Sequence, residues 1–309
     1  MDIKTIAIIG SGLMGVGIAS KFALAGFTVI IYDVDAMRLE GAKALVDESF
    51  RELMDAERIS HDERRAALRL LLPSNELGSI ADAAMVFEAV PERLELKRDI
   101  YRQLEAVLST DAIIASNTSG LTPDLLCEGM VHPERFLIAH FWNPPHLLPL
   151  VEIVPAARTR HSCVSFMHEE LKAIGLKPVV LDRAIPGFIG NRIQFAVLRE
   201  ALHLVREGIA SAEDIDMVVQ NTLGVRYQFA GPLAGADLGG LDTFAAIAAH
   251  LMPQLEKSEA DIEYLDELVA RNNVGLRSGQ GFYKWTPERL SDLRESRRNL
   301  LAGKFTLAR

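Results

Sequence analysis

The apolar positions fall into two regimes along the chain. Up to about residue 183, short runs rich in Val and Ile alternate with segments of helical period; beyond it, nearly every apolar stretch repeats at helical spacing. The first unit reads as strand, tight turn, helix, strand. Lys4-Thr-Ile-Ala-Ile-Ile9 is a short β-branched apolar run of the kind buried on both faces of a parallel sheet. Gly10-Ser-Gly-Leu-Met-Gly15 follows. Small and apolar residues from Val16 to Ala25 then suit a helix packed close on that sheet, Gly26 ends it, and Phe27 to Asp33 is a second strand. Residues 36–72 predict a helical excursion stopped by Pro73. Further strands are expected at 84–90, 112–116, 136–140, 150–154 and 177–181, with helices at 92–108 and 164–174.

Pro186-Gly187 opens the second regime. Helices are predicted at 188–205 (ended by Gly208), 211–221, 240–256 and 261–272, and a charged amphipathic helix follows Trp285. The switch in pattern divides the chain into 1–185 and 186–309. The first part is a doubly wound α/β sheet domain of Rossmann type. The second is all-α and of a size that often buries apolar surface against a partner subunit, so a homodimer is expected.

Composition narrows the function. The 309 residues carry a formal net charge of −9, and 49% are hydrophobic. The acidic balance excludes a general nucleic-acid binder, which needs a basic face. The uncharged stretch Thr5 to Ser20 is shorter than the roughly 20 apolar residues of a membrane span, and glycines and Lys21 break it. No membrane partner is expected, and the cytoplasm is the default location. Two cysteines, Cys127 and Cys163, make neither a disulfide framework nor a Cys-rich metal site, and no metal is expected.

The chemistry begins at the glycine loop. Gly10 allows the sharp turn, Gly12 lets a pyrophosphate approach the backbone, and Gly15 lets helix and strand pack closely. The phosphates would then meet the free N–H groups of Leu13, Met14 and Gly15 at the helix start. Asp33 ends the second strand eighteen residues after Gly15. Its carboxylate suits the adenosine ribose hydroxyls of NAD and repels the extra phosphate of NADP. A second constellation is spread along the chain: Glu88, Ser116, His140, Asn143, Glu152 and Asn191. A strand-end histidine with a carboxylate twelve residues later suits general-base work, and Ser116, Asn143 and Asn191 can orient a hydroxyl or carbonyl.

Taken together, GSGLMG, FEAVPE, ASNTSG, AHFWNPP, LVEIV, IPGFIGNR and GQGFYKW resemble the 3-hydroxyacyl-CoA dehydrogenase family, from residue 3 to about 286. The resemblance implies an NAD-binding Rossmann domain joined to a dimerising helical domain like the C-terminal domain of 6-phosphogluconate dehydrogenase. It implies oxidation of a 3-hydroxy group with hydride passing to NAD. His140 is then the base and Glu152 its partner. Ser116 and Asn191 contact the reacting oxygen, Asn143 supports histidine and substrate, and Glu88 and Val90 lie near the nicotinamide and its ribose.

Within that family the chain departs from the fatty-acid enzymes. Those carry a Lys-rich run after the second strand that meets the CoA phosphates, whereas residues 41–70 here hold seven acidic residues and six Lys or Arg. The segment Asn143-Pro-Pro-His-Leu-Leu-Pro-Leu and the run LGVRYQFAGP resemble instead the branch of λ-crystallin (L-gulonate 3-dehydrogenase), carnitine dehydrogenase and a pyridine-carboxylate dehydrogenase. That makes Arg226 a candidate clamp for a free carboxylate, across a dimer interface or otherwise, with Arg192 a weaker one. The expected substrate is a small hydroxy acid. A short-chain (S)-3-hydroxyacyl-CoA such as 3-hydroxybutyryl-CoA is the alternative, and a crystallin-type structural protein that only binds NAD is a third reading.

Overall fold

The computed structural model describes residues 5–303, so Lys4 and the last residues of the expected tail lie outside the described part. The apolar runs become strands β1 (Thr5–Ile9), β2 (Thr28–Tyr32), β3 (Leu71–Ser74), β4 (Met85–Glu88), β5 (Ile113–Ser116), β6 (Phe136–Phe141), β7 (Leu150–Pro155) and β8 (Lys177–Val180). They form one sheet in the order β3-β2-β1-β4-β5-β6-β7-β8. Every neighbouring pair is parallel except β6 and β7, which run antiparallel. The strand order reverses between β1 and β4, the kind of switch point at which doubly wound sheets bind dinucleotides.

Helices cover both faces of the sheet: α1 (Leu13–Leu24), α2 (Ala36–Asp55), α3 (His61–Arg69), α4 (Leu94–Val107), the short α5 (Pro123–Leu126) and α6 (His161–Ala173). Alternation along the strands divides the core in two. Ile6, Ile8, Phe87 and Ala139 pack with Phe22, Val46 and Phe50 on one face. Ala7, Ile9, Val86, Ile114, Ile138 and Val154 pack with Tyr101, Leu104 and Phe188 on the other. A residue's parity thus decides which helices it meets.

The expected excursion ends differently from its apolar pattern. Residues 36–72 are not helical throughout: α2 and α3 end at Asp55 and Arg69, and Leu71–Ser74 is an edge strand paired with β2. The three consecutive leucines continue a helical period, but the open edge of β2 supplies backbone partners, and an edge position tolerates Pro73.

The described residues cluster into two compact units, 5–190 with 295–303, and Asn191–Arg294. The second is helical: α7 (Gly190–Arg206, its first residue in the first unit), α8 (Ala212–Val219), a π-turn at Gln220–Gly224, α9 (Pro232–Gly239), α10 (Leu241–Leu251) and α11 (Ala260–Ala270). The Tyr283 hydroxyl donates to Asp216 of α8 at 2.6 Å, and the Arg289 guanidinium lies 3.7 Å from the centre of the Tyr283 ring. The last helix, α12 (Pro287–Leu301), ends in the first unit, where Arg297 pairs with Glu52 at 2.6 Å. Among the described residues no helix is long and apolar enough to cross a membrane.

A methyl group at Gly15 would overlap the Gly10 carbonyl. Gly15→Ala is therefore expected to destabilise the protein by about 1–3 kcal/mol, read as a lower urea midpoint, and to weaken NAD binding in calorimetry.

Candidate active site

The glycine loop divides its three glycines by task. Gly10 has φ 102°, and a side chain there would press on the Ala89 carbonyl, so both conformation and space require glycine. A Cβ on Gly12 would meet nothing within 4 Å. The protein itself does not need glycine at this position, whereas a pyrophosphate approaching the open backbone does. No side chain caps α1, and its first turn holds no acidic residue, so its N-terminal amides and positive dipole end remain for an anion. Leu13 is exposed, and Met14 is half-buried against the core.

Asp33 follows β2 directly. Its Oδ2 accepts the Ser11 amide at 2.9 Å and the Ser11 hydroxyl at 2.8 Å, and its Oδ1 accepts the Asp35 amide at 3.0 Å. Burial acts to raise the Asp33 carboxyl, but these bonds outweigh it and hold the group below the ordinary carboxylate range. The carboxylate therefore fastens the glycine loop to the end of β2. These residues fit the adenosine and pyrophosphate of NAD.

The chemical end of the site comes from four adjacent strands. Glu88 pairs with Ser116 across β4 and β5. Ser116 stands opposite Ile138, two residues before His140, and His140 stands opposite Glu152 across β6 and β7. Parity puts all four side chains on the sheet face of Val86, Ile114, Ile138 and Val154. The antiparallel turn between β6 and β7 thus converts a twelve-residue separation into a cross-strand pair. His140 Nδ1 lies 2.9 Å from Glu152 Oε2, and both residues are buried.

Glu152 is held from three other directions. Its Oε1 accepts the amides of Ile189 at 2.9 Å and Gly190 at 3.0 Å, at the start of α7, and the Trp142 indole donates to Oε2 at 3.4 Å. Burial acts to raise the Glu152 carboxyl; the His140 bond and the Gly190 and Ile189 amides overcome it, so the group is held below its ordinary range. An ionised Glu152 makes Nδ1 of His140 the protonated nitrogen and leaves Nε2 free to take or give a proton.

Glu88 has no exposed surface, and its four acceptor positions are filled. Oε1 accepts Lys97 Nζ at 2.7 Å and the Val90 amide at 2.8 Å; Oε2 accepts the Tyr101 hydroxyl at 2.6 Å and the Ser116 hydroxyl at 2.7 Å. Lys97 Nζ also lies 3.2 Å from Glu92 Oε2 and 3.4 Å from the Val90 carbonyl, three acceptors for the three protons of an ammonium. Burial, with the Glu88 carboxylate, pushes the Tyr101 phenol well above its usual range.

A profile of the 3-hydroxyacyl-CoA dehydrogenase NAD-binding domain matches residues 5–184, and a profile of the same family's C-terminal domain matches 187–285. The chain belongs to the 3-hydroxyacyl-CoA dehydrogenase family. This dehydrogenase is 33% identical over 311 residues to the 5-formyl-3-hydroxy-2-methylpyridine 4-carboxylate 5-dehydrogenase of Mesorhizobium japonicum, with 97% of each chain covered. It is 34% identical over 288 residues to a 3-hydroxybutyryl-CoA dehydrogenase of Bradyrhizobium diazoefficiens, covering 92% of this chain and 96% of the relative. It shares a TM-score of 0.89 and 32% identity with the crystal structure of a 5-formyl-3-hydroxy-2-methylpyridine 4-carboxylic acid 5-dehydrogenase, an NAD-dependent dismutase, over 98% of this chain and 97% of that one. The protein is an NAD-dependent dehydrogenase acting on a CH–OH group of a small molecule.

The remaining sequence candidates lie outside these four strands. Asn143 is exposed in the loop after β6, before Pro144. Asn191 is the second residue of α7, and Arg226 is exposed after the π-turn; both belong to the helical unit. Both cysteines are buried free thiols, and burial, with Asp124, pushes the Cys127 thiol up.

Sequence reasoning assigned no role to Lys97, Tyr101, Trp142 or Phe188. Lys97 did leave a signal: with Leu94, Tyr101, Leu104 and Leu108 it occupies one apolar stripe of α4, where an unpaired lysine would not be buried.

Lys97→Met leaves Glu88 without its cation, and a stability loss of about 3–5 kcal/mol is expected in urea titrations at pH 7. Glu152 and Asp33 are held ionised in the fold, whereas unfolded carboxyls protonate near pH 4. Their contribution is complete above about pH 5 and lost as pH falls toward their lowered values. Urea midpoints should fall over that acid range, and less steeply in Glu152→Gln.

Proposed function

We propose that the dehydrogenase oxidises a small hydroxy acid carrying a free carboxylate, with His140 as general base. The observation that carries this reading is Arg226, an exposed guanidinium that has no ion pair among the described residues. A planar, permanent cation suits bidentate capture of a carboxylate. Residues 41–70 support it from the other side. Arg51 and Arg64 pair with Asp47, and Arg65 pairs with Asp62, so half of the six basic side chains there are already matched by aspartates. Such a surface is poorly suited to the phosphates of CoA. A 3-hydroxyacyl-CoA substrate is the second reading, favoured by the 3-hydroxybutyryl-CoA dehydrogenase among the relatives.

NAD, when bound, supplies the two-electron acceptor for the hydride of the carbinol carbon. The residues that would hold it are Gly10, Gly12, Leu13, Met14, Gly15 and Asp33 at the adenosine and phosphate end, and Glu88, Val90, Ser116 and Asn143 toward the nicotinamide. In oxidation, neutral His140 takes the hydroxyl proton at Nε2, and ionised Glu152 stabilises the imidazolium that forms. In reduction, the imidazolium polarises the carbonyl and returns the proton. Ser116 and Asn191 orient the reacting oxygen. Asn143 supports the histidine and the substrate.

The same reading includes a homodimer in the cytoplasm. Phe229, Leu233, Leu238, Leu241, Ile247 and Met252 are exposed on and beside α9 and α10, an apolar surface of the kind a second copy buries.

His140→Ala should lose turnover by at least about a hundredfold while keeping NAD affinity; near-normal turnover removes the assignment. The pH optimum for oxidation should lie above that for reduction, because each direction starts from the opposite charge state of the base. A panel of L-gulonate, L-carnitine, pyridine carboxylates and 3-hydroxybutyryl-CoA, followed by NADH absorbance, decides the substrate class. Arg226→Met should raise KM for a free acid about tenfold or more and leave KM for NAD unchanged. Turnover of the thioester alone rejects the free-acid reading.

A further inference from the structure

Among the described residues, three that are not glycine have φ in the left-handed region: Glu57, Phe188 and Asn272. Glu57 and Asn272 each follow the C-cap of a helix, α2 and α11, where that conformation is an ordinary termination. Phe188 ends no helix. It lies two residues before the start of α7, with φ 51°, directly after Gly187 at φ 76°. A bulky side chain in this region is strained, and strain of this kind persists where neighbouring contacts enforce it.

The contacts are those of the catalytic pair. The Phe188 amide donates to the Ile185 carbonyl at 3.0 Å, closing the turn. The next two amides, Ile189 and Gly190, bind Glu152 Oε1. The Phe188 ring, 1% exposed, stands 5.4 Å from the His140 ring at an interplanar angle of 58°. Trp142 stands 5.8 Å from the same imidazole, and a side chain on Gly190 would overlap its ring. Three consecutive residues, Phe188 to Gly190, therefore grip both members of the pair, the carboxylate by two backbone amides and the imidazole by an aromatic ring.

We propose that Phe188 is a positioning residue whose strained turn holds its ring as an apolar cover on His140, keeping water off the imidazole so that the Nδ1 proton facing Glu152 does not exchange with it. The charged group bonded to the imidazole is Glu152 on β7. The next carboxylate on this sheet face, Glu88, is matched by Lys97. With Phe188 and Trp142 as apolar walls, the Nδ1 proton stays on the Glu152 side and one tautomer is kept. The proposal rests on His140 being the base, and its test is independent of the substrate.

The probe is water itself. Protein labelled with 15N-histidine is examined by NMR with NAD bound, His140 being assigned from the spectrum of His140→Gln. Ring N–H exchange with water should accelerate at least about tenfold in Phe188→Ala and in Phe188→Gly, with loss of the single-tautomer nitrogen shifts, and the other histidines should be unmoved. Phe188→Leu, which keeps an apolar cover, should hold exchange close to wild type. Glycine relieves the strained backbone and alanine does not, so Phe188→Gly should melt about 2–4 °C above Phe188→Ala, the reverse of their usual order.

Unchanged His140 exchange in the Ala and Gly variants overturns the proposal, as does an alanine variant that melts no lower than the glycine one. Either failure leaves His140 as the base if His140→Ala still abolishes turnover. Near-normal turnover in His140→Ala removes the base assignment instead, whatever the exchange rates.

Discussion

An ionised carboxylate without solvent is stable only when each of its oxygens is met by a donor. That constraint organises the chemical end of this dehydrogenase. Glu152 is 1% exposed, and its donors come from β6, from the loop after β6 and from the start of α7. Glu88, with no exposed surface, draws on the turn after β4, on α4 and on β5. Meeting these two side chains fixes the register of four strands and the entry of two helices. An ionised Glu152 also favours the His140 proton on Nδ1, the tautomer that the proposed base would use.

The two ends of the sheet face solve different electrostatic problems. At the glycine loop no side chain caps α1 and no acidic residue stands in its first turn, an arrangement that suits a ligand bringing its own negative charge. At β4 to β7 the protein supplies both charges itself and closes them off. Asp33 links the two solutions. Its carboxylate ties the loop through Ser11, and burial limits it to partners that donate hydrogen bonds, which ribose hydroxyls do and a phosphate does not.

Much of this was legible from residue order. Gly10, Gly12, Gly15 and Asp33 are a local pattern, read along a strand, a turn and a helix, and the structure gives Gly10 its positive φ and Gly15 its close packing. The unbroken apolar strands and the change of period near residue 185 marked a doubly wound sheet followed by helices. Residues 71–74 were less legible, since a leucine run suits a helix as well as an edge strand until a neighbouring strand supplies its backbone partners. Lys97 sat in the apolar stripe of a charged helix, where its role depended on carboxylates nine and five residues earlier.

The sequence by itself determined the chemical inventory: a glycine-rich turn, an acidic residue after the second strand, a histidine with a carboxylate twelve residues later, and the family to which they belong. Those signals are local, carried by backbone conformation and side-chain type within a few residues. The tertiary structure decided which groups meet. The antiparallel reversal of β7 put Glu152 opposite His140. Strand parity put Ser116 and Glu88 on the same face. A left-handed turn at Phe188 brought a ring and two amides onto the pair. These depend on long-range register and on burial, which no spacing encodes, because a hydrogen-bond donor hundreds of atoms away along the chain is a neighbour only after the sheet has closed.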